Sequence, residues 1–127
     1  MKRKLLVMTP ISHINGLEKI FKKYFILSKV ENPTYKIIYK IIHDYDVIFT
    51  NPNMSKVYLS KEILQRAKKL KIICTASTGT NHIDLNFAKK NKIKILSLKN
   101  NYKIINKITS TAEHALALMM SSIRNIN

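Results

Sequence analysis

Short apolar runs alternate with amphipathic segments along this chain, and this alternation restricts the fold more than any other feature of the sequence. Such alternation is typical of repeated βα units around a parallel sheet. The runs are apolar on both faces, as expected for strands that helices cover on both sides. The predicted strands are residues 4–8, 24–30, 46–50, 70–75 and 93–98. The predicted fold class is therefore α/β: a doubly wound, flavodoxin-like or Rossmann-like sheet of five parallel strands with helices on both faces.

Four helices are predicted between these strands, because apolar residues recur there at spacings of three and four. Ser60 and Asp84 are the expected N-caps of the third and fourth helices, since their side-chain oxygens can accept hydrogen bonds from first-turn N–H groups. The predicted inward faces are Leu17, Ile20, Phe21 and Tyr24 in the first helix, Ile38, Ile41 and Ile42 in the second, Ile63, Leu64 and Ala67 in the third, and Phe87 and Ala88 in the fourth.

The last segment of the chain is predicted to form a helix that is apolar on nearly every side. Ser110 and Glu113 have the spacing of a capping box, and mostly Ala, Leu and Met follow them. A helix of this composition must be buried nearly all round. We therefore expect residues 111–123 to be covered by a second chain, in a homodimer, or by a part of the protein beyond this sequence.

The cysteine content and the chain start restrict the location and the kind of site. Cys74 is the single cysteine and falls in an apolar run, so it is expected to be a core residue. No group of His, Cys, Asp and Glu has metal-ligand spacing, so no metal site is expected. The basic start is followed only by the apolar stretch 5–8, which is too short for a signal peptide or a membrane span. We expect a cytoplasmic protein without a membrane partner.

The formal net charge of +16 raises the alternative of a basic nucleic-acid-binding domain, since lysines and arginines neutralise phosphates. The charge comes from 23 Lys and Arg residues, which are spread along the chain and do not alternate with exposed aromatic residues in any run. The chain is also rich in Ile and Asn, whose codons share the A and T content of lysine codons. Nucleic-acid binding is therefore the less favoured reading of the charge.

The residues that follow the fourth predicted strand form the strongest candidate site. They read Thr-Ala-Ser-Thr-Gly-Thr over 75–80, at the carboxyl end of a strand, where open parallel sheets bind ligands. Gly79 is one of two glycines in the chain, and glycine permits a positive φ or the close approach of a ligand to the backbone. Successive N–H groups in a tight turn bind anions. The segment predicts an anion-binding loop, with an ordinary βα turn as the alternative.

Several motifs in order resemble the D-isomer-specific 2-hydroxyacid dehydrogenase family. They are the segments LKIICTASTGTNHIDL at 70–85, AKK at 88–90, IKIL at 93–96 and TAEHALAL at 111–118. The resemblance is good over 70–126 and looser before, where DVIF at 46–49 still fits. It implies a flavodoxin-like substrate-side domain, here residues 1–108, and a connecting helix, residues 109–127, that leads to a nucleotide-binding domain. Within the family, the loop sequence at 75–80 resembles phosphoglycerate and erythronate-phosphate dehydrogenases most.

The function that the resemblance implies is oxidation of the CH–OH group of a small D-2-hydroxy acid, or the reverse reduction of a 2-keto acid, with NAD or NADP. It implies that backbone N–H groups around Ser77, Thr78 and Gly79 hold the substrate carboxylate, and that Thr78 also lies near the nicotinamide. Asn51 matches a second substrate-facing loop.

The catalytic Arg, Glu and His of the family and its glycine-rich cofactor turn find no match in this chain, which has two glycines. No catalytic residue is therefore assigned, and we expect no tight NAD binding to this chain alone. The chain also departs from the family at Asn81, where Asp is frequent, and at 99–107, which lacks a Pro-Gly turn.

The histidines near these motifs have local explanations. His82 is expected to pack or hydrogen-bond within its own loop, and His114 belongs to the start of the last helix. A non-enzymatic module that dimerises through residues 111–123 remains the main alternative to an enzyme fragment.

Overall fold

The computed structural model describes residues 2–124 and consists of two compact units, Met1–Ser97 and Leu98–Asn127. Strands and helices alternate through the first unit, as predicted. Its elements are β1 (Arg3–Val7), α1 (Leu17–Tyr24), β2 (Phe25–Lys29), α2 (Tyr35–Ile41), a 3-10 turn (Ile42–Asp44), β3 (Val47–Thr50), α3 (Lys61–Arg66), β4 (Ile72–Thr75), α4 (Leu85–Lys90) and β5 (Lys94–Leu96).

The five strands form one parallel sheet in the order β2-β1-β3-β4-β5. Leu5 of β1 is paired with Leu27 of β2 on one side and with Val47 of β3 on the other. This is the flavodoxin-like order of a doubly wound sheet, in which the winding direction reverses between β1 and β3. The predicted fold class is confirmed, and the reversal places a crevice at the carboxyl ends of these two strands.

Successive residues of β1 pack on opposite faces of the sheet, as expected for a strand covered on both sides. Leu6 belongs to the larger cluster, which contains buried residues of α2, α3 and α4. Leu5 and Val7 belong to the smaller cluster, against which Leu17 and Phe21 of α1 pack. The smaller cluster covers its face unevenly, because Cys74 of β4 is only partly buried and Leu96 of β5 is 41% exposed.

Helix α1 buries less of its apolar surface than predicted. Ile20 and Tyr24 are 55% and 60% exposed, although their spacing placed them on the inward face. The helix has only 8 residues, and it contacts the smaller cluster through Leu17 and Phe21, which lie one turn apart. The inward residues of the third and fourth helices are placed as predicted, since Ile63, Leu64, Ala67 and Ala88 are buried and Phe87 is partly buried.

The two predicted helix caps have different outcomes. Asp84 caps α4, and its Oδ1 accepts a hydrogen bond from the Phe87 N–H at 2.9 Å. Ser60 occupies the N-cap position of α3, but its side chain makes no capping hydrogen bond. Thr34 caps α2 by accepting from the Ile37 N–H at 3.3 Å, a cap that was not predicted.

The second unit contains a 3-10 turn (Leu98–Asn100), α5 (Tyr102–Ile105) and α6 (Ser110–Arg124). Helix α6 begins at Ser110 itself, one residue earlier than a capping box formed by Ser110 and Glu113 would place it. Its large apolar side chains are exposed, Leu116 by 57% and Ile123 by 69%, so their expected burial against a second chain or a further part of the protein stays a prediction. No helix in residues 2–124 has the length and apolar character needed to cross a membrane.

Candidate functional site

The loops that contain the predicted site residues begin side by side at one edge of the sheet. Thr50 ends β3 and is paired with Thr75, which ends β4. The Ala76 N–H donates a hydrogen bond to the Thr50 carbonyl at 2.9 Å. Asn51 and the loop at 76–80 therefore leave the sheet at adjacent positions, so the structure brings the predicted residues into one region.

A chain of side-chain hydrogen bonds holds the loop after β4. The Thr75 hydroxyl lies 2.8 Å from the Ser77 hydroxyl, which donates to the Gly79 carbonyl at 2.7 Å. On its other side, Thr75 Oγ1 lies 3.1 Å from His82 Nε2. Thr75 is 2% exposed and His82 is 9% exposed, so the loop is connected through buried groups to the sheet.

The backbone N–H groups of residues 77–80 are available to a ligand. None of them donates a hydrogen bond to another residue in the described part of the chain. Thr78 and Gly79 are exposed, and Ser77 is partly exposed. Successive N–H groups can bind an anion such as a carboxylate where a turn points them to one side.

Gly79 leaves open space above the loop. Its φ is outside the positive region, where Gly16 lies at +80°. A Cβ atom at position 79 would lie 3.7 Å from Asn81 Oδ1, which is an ordinary contact distance. Neither backbone conformation nor packing within the chain therefore requires glycine at this position. The sequence offered two reasons for a glycine here, a positive φ and the close approach of a ligand to the backbone. The structure excludes the first and is compatible with the second.

Asn51 stabilises the turn that follows β3. Its Oδ1 accepts a hydrogen bond from the Asn53 N–H at 3.0 Å, and its carbonyl accepts from Met54 and Ser55 at 3.1 and 2.7 Å. Its Nδ2 donates to no other residue in the described chain. Asn51 therefore offers one side-chain donor next to the loop at 76–80.

An apolar cavity of about 500 Å³ opens at the carboxyl ends of β1 and β3. Its lining residues are Thr9, Pro10, Ile11, His13, Ile14, Phe49, Asn51, Asn53, Met54 and Ala76. The lining includes no Lys, Arg, Asp or Glu, although the chain has 23 Lys and Arg residues. Asn51 and Ala76 connect the cavity to the candidate loop. The sequence interpretation missed the part contributed by the loop after β1, whose signal is Thr9-Pro10 at the end of the first strand.

Burial shifts two ionisable groups near the site, His82 and Cys74, toward their neutral forms. Burial lowers the pKa of His82 below its ordinary value and raises the pKa of the Cys74 thiol. His82 hydrogen-bonds within its own loop, as predicted. His114 lies on α6, in the second unit. The described residues include no group of three or more His, Cys, Asp and Glu side chains that could hold a metal ion.

Known proteins show similarity to this chain in sequence and in fold. The chain is 35% identical over 88 residues to a formate dehydrogenase of Candida boidinii, covering 68% of this chain and 22% of that protein. It is 36% identical over 97 residues to a formate dehydrogenase of Neurospora crassa, covering 75% of this chain and 24% of that protein. The chain thus spans less than a quarter of the length of these relatives. Both are formate dehydrogenases, and not the phosphoglycerate or erythronate-phosphate dehydrogenases that the loop sequence at 75–80 suggested.

Solved structures share the fold. The PH0520 protein of Pyrococcus horikoshii has a TM-score of 0.74 at 25% identity, over 99% of this chain and 35% of that chain. The NAD-dependent formate dehydrogenase of Staphylococcus aureus, solved in complex with NAD, has a TM-score of 0.74 at 22% identity, over 96% of this chain and 39% of that chain.

A family match covers nearly the whole chain. Residues 6–123 match the catalytic domain of the D-isomer specific 2-hydroxyacid dehydrogenases. That span includes the end of β1, the strands β2 to β5, the loop after β4 and most of α6. The chain belongs to the D-isomer specific 2-hydroxyacid dehydrogenase family.

Proposed function

We propose that this chain forms the substrate side of an NAD- or NADP-dependent dehydrogenase that oxidises the CH–OH group of a small D-2-hydroxy acid. The observation that supports it most is the set of unpaired backbone N–H groups at residues 77–80. These groups would bind the substrate carboxylate, with Asn51 Nδ2 as a further donor. Hydrogen bonds from neutral donors to a charged carboxylate are among the stronger ones in proteins.

The residues of this chain fit the nicotinamide end of the cofactor and not its pyrophosphate. Thr78 is exposed, and its side chain makes no hydrogen bond in the described chain, so it is available beside the nicotinamide. A glycine-rich pyrophosphate turn cannot be built from Gly16 and Gly79 alone. NAD, when bound, accepts the hydride from the substrate. The role of this chain is to bind and orient the substrate, and the acid/base group is expected in a further domain.

The apolar cavity favours a substrate with an uncharged side chain. Ala76 lines this cavity and directly precedes the loop at 77–80, so we propose that a substituent on a carboxylate held there extends toward the cavity. A phosphate group there would meet no Lys or Arg among the lining residues. An apolar substituent would instead gain the free energy of leaving water. This argues for an aliphatic hydroxy acid over a phosphorylated one such as phosphoglycerate or erythronate phosphate.

Formate oxidation is the second candidate function. The observation in its favour is the identity of 35% and 36% to formate dehydrogenases of two fungi. Formate has the carboxylate but no substituent, so it would use the loop at 77–80 and leave the cavity without a role. The two candidates therefore differ in whether affinity grows with the size of the ligand.

Titration of the 15N-labelled chain by NMR tests the proposal. The ligands are pyruvate, 4-methyl-2-oxopentanoate, formate and 3-phosphoglycerate, with acetone as the uncharged control. We expect the amides of 77–80 to shift with the carboxylates and not with acetone. We expect the branched acid to bind more tightly than pyruvate, by about fourfold for each buried methylene. Absence of any shift at 77–80 would contradict the proposal, and equal binding of formate and the branched acid would favour formate.

We also propose that the protein forms a homodimer in which α6 lies at the interface. The exposed apolar side chains of α6 support this arrangement, and they include Leu116, Leu118, Met119, Met120 and Ile123. Contiguous apolar surface of this kind marks association sites in soluble proteins.

We do not expect NAD to bind this chain with micromolar affinity. Calorimetric titration measures that affinity.

A further inference from the structure

The hydrogen bonds of the loop after β4 have a single possible direction. Ser77 Oγ donates its one hydrogen to the Gly79 carbonyl. Ser77 must then accept from Thr75, so the Thr75 hydroxyl hydrogen points to Ser77. Thr75 has no second hydrogen, and it must therefore accept the bond that joins it to His82 Nε2.

This direction fixes the tautomer of His82. Its Nε2 must carry the proton and donate to Thr75 Oγ1. Its Nδ1 is buried and makes no hydrogen bond to another described residue. A proton on Nδ1 in place of Nε2 would leave Thr75 without a donor and would place an N–H group in a buried position without an acceptor.

We infer that His82 is a positioning residue for the loop at 77–80, which it holds through a one-way chain of hydrogen bonds from its Nε2–H through Thr75 and Ser77 to the Gly79 carbonyl. The inference rests on the proposed carboxylate-binding role of that loop. His82 does not contact the ligand in this arrangement. It acts by fixing the conformation in which the loop presents its N–H groups.

The last hydrogen bond of this path, from Ser77 to the Gly79 carbonyl, is the one that affects ligand binding. The peptide bond after Gly79 is trans, so its carbonyl and the Thr80 N–H point in opposite directions. Because Ser77 holds the carbonyl, the Thr80 N–H points away from Ser77. Without these hydrogen bonds the peptide plane between Gly79 and Thr80 can rotate. The unpaired N–H groups of 77–80 then no longer have one fixed arrangement.

Backbone hydrogen bonds hold His82, at the start of the path, and Ala76, next to Thr75, independently of the side-chain bonds. The Leu59 N–H donates to the His82 carbonyl at 2.9 Å, and the Ala76 N–H donates to the Thr50 carbonyl. His82 thus has a fixed backbone, and its ring is buried. Burial lowers the pKa of His82 and so favours the neutral ring, which is the state that this hydrogen-bond path requires.

Two substitutions of His82 separate its donor role from its packing role. His82→Gln keeps an amide donor near the position of Nε2, whereas the shorter side chain of His82→Asn does not reach Thr75. Both remove the imidazole ring and keep a polar side chain, so a residue that only packs would respond similarly to both. Thr75→Ser and Thr75→Val form a second pair, in which only the first keeps the hydroxyl.

The experiment combines three NMR measurements on the 127-residue chain. Long-range 1H–15N spectra report which ring nitrogen of His82 carries the proton, and we expect Nε2. In the ligand-free chain, we expect the amide shifts of 77–80 to stay close to wild type in His82→Gln and to change in His82→Asn. Pyruvate titration should show an affinity within about twofold of wild type for Gln and about fivefold weaker for Asn and for Thr75→Val.

The outcomes separate this inference from the proposed function. A proton on Nδ1, or equal effects of Gln and Asn, overturns the inference while the carboxylate site stands. Pyruvate that leaves the wild-type amides unshifted overturns the proposed function and with it the inference. If His82→Asn does not fold, Thr75→Ser and Thr75→Val provide the test. Equal affinity of these two variants for pyruvate overturns the inference. The effects of Thr75→Val and His82→Asn should not add in the double variant.

Discussion

Leu59 and Ile83 form an isolated parallel bridge outside the main sheet. The Leu59 N–H donates to the His82 carbonyl at 2.9 Å, and the Asp84 N–H donates to the Leu59 carbonyl at 3.0 Å. Both side chains are buried. The bridge ties the segment after β3 to the segment after β4. Backbone hydrogen bonds therefore fix the ends of the two candidate substrate-binding loops relative to each other.

Gly79→Ala should reduce ligand binding without reducing stability. The added methyl group meets only Asn81 Oδ1 at 3.7 Å, and φ at this position suits alanine. The methyl group occupies the open space in which the carboxylate is expected, so the affinity for pyruvate should fall by about tenfold. Urea unfolding and NMR titration measure the two effects. A clear loss of unfolding free energy would show instead that the glycine serves the fold.

Gly16→Ala is the matched substitution with the opposite expected outcome. Gly16 precedes α1 at φ +80°, and nothing lies within 4 Å of an added Cβ. The cost is therefore backbone strain alone, about 1–2 kcal/mol of unfolding free energy. Pyruvate binding to the folded variant should be unchanged. Equal stability of the Gly16 and Gly79 variants in urea would refute the assignment of strain to position 16.

Stability should decrease as the pH falls below 6.5, the ordinary pKa of histidine. Burial lowers the pKa of His82, so in this range the unfolded chain binds a proton that the folded chain does not. The loss ends once the pH passes below the lowered pKa of the folded state. Urea unfolding from pH 8 to pH 5 measures it, and His82→Gln should remove this part of the slope.

A second loss at lower pH has a different origin and serves as an internal comparison. Hydrogen bonds from Lys22 and Lys29 lower the pKa of Glu18 from 4.5 to about 2. Its contribution is present above pH 4.5 and is lost as the pH falls toward 2. This lower range should be unaffected by His82→Gln. If the free energy of unfolding falls with one slope through both pH ranges, and His82→Gln does not change that slope, the assignment to His82 is wrong.

Helix α6 should mediate concentration-dependent association. Leu116 and Ile123 are 57% and 69% exposed, and replacing both by Glu should shift the protein toward the monomer in light scattering. Ile37→Glu is the control, because Ile37 is an exposed apolar residue on α2. A wild-type chain that stays monomeric at high concentration, or an equal effect of the control, would exclude a dimer through α6.

Local patterns predicted the elements well because their causes are local. The apolar runs at 70–75 and 93–98 contain β4 and β5, and the Asp84 side chain makes the expected capping bond. The exposure of Ile20 and Tyr24 was not predictable, since periodicity identifies an apolar face but not the width of the surface that it meets. The strand order was also beyond local patterns, because it depends on contacts between distant parts of the chain.

The candidate site was predictable in position and not in its internal bonding. Asn51 and Gly79 follow strands of one parallel sheet, so the sequence was sufficient to place them at the same edge. The bond between Thr75 and His82 depends on side-chain rotamers that the sequence does not specify. The apolar cavity depends on the loop after β1 meeting the loop after β3, which follows from the strand order and not from either segment alone.

The position of β1 between β2 and β3 constrains how the sheet is assembled during synthesis. β1 is synthesised before the other four strands of this sheet, and it needs β2 on one side and β3 on the other. Until residue 50 has emerged, the apolar side chains of β1 have incomplete partners on both sides. The nascent chain therefore carries an incompletely paired apolar strand until β3 has emerged, which penalises variants that delay the pairing of β1 with β3.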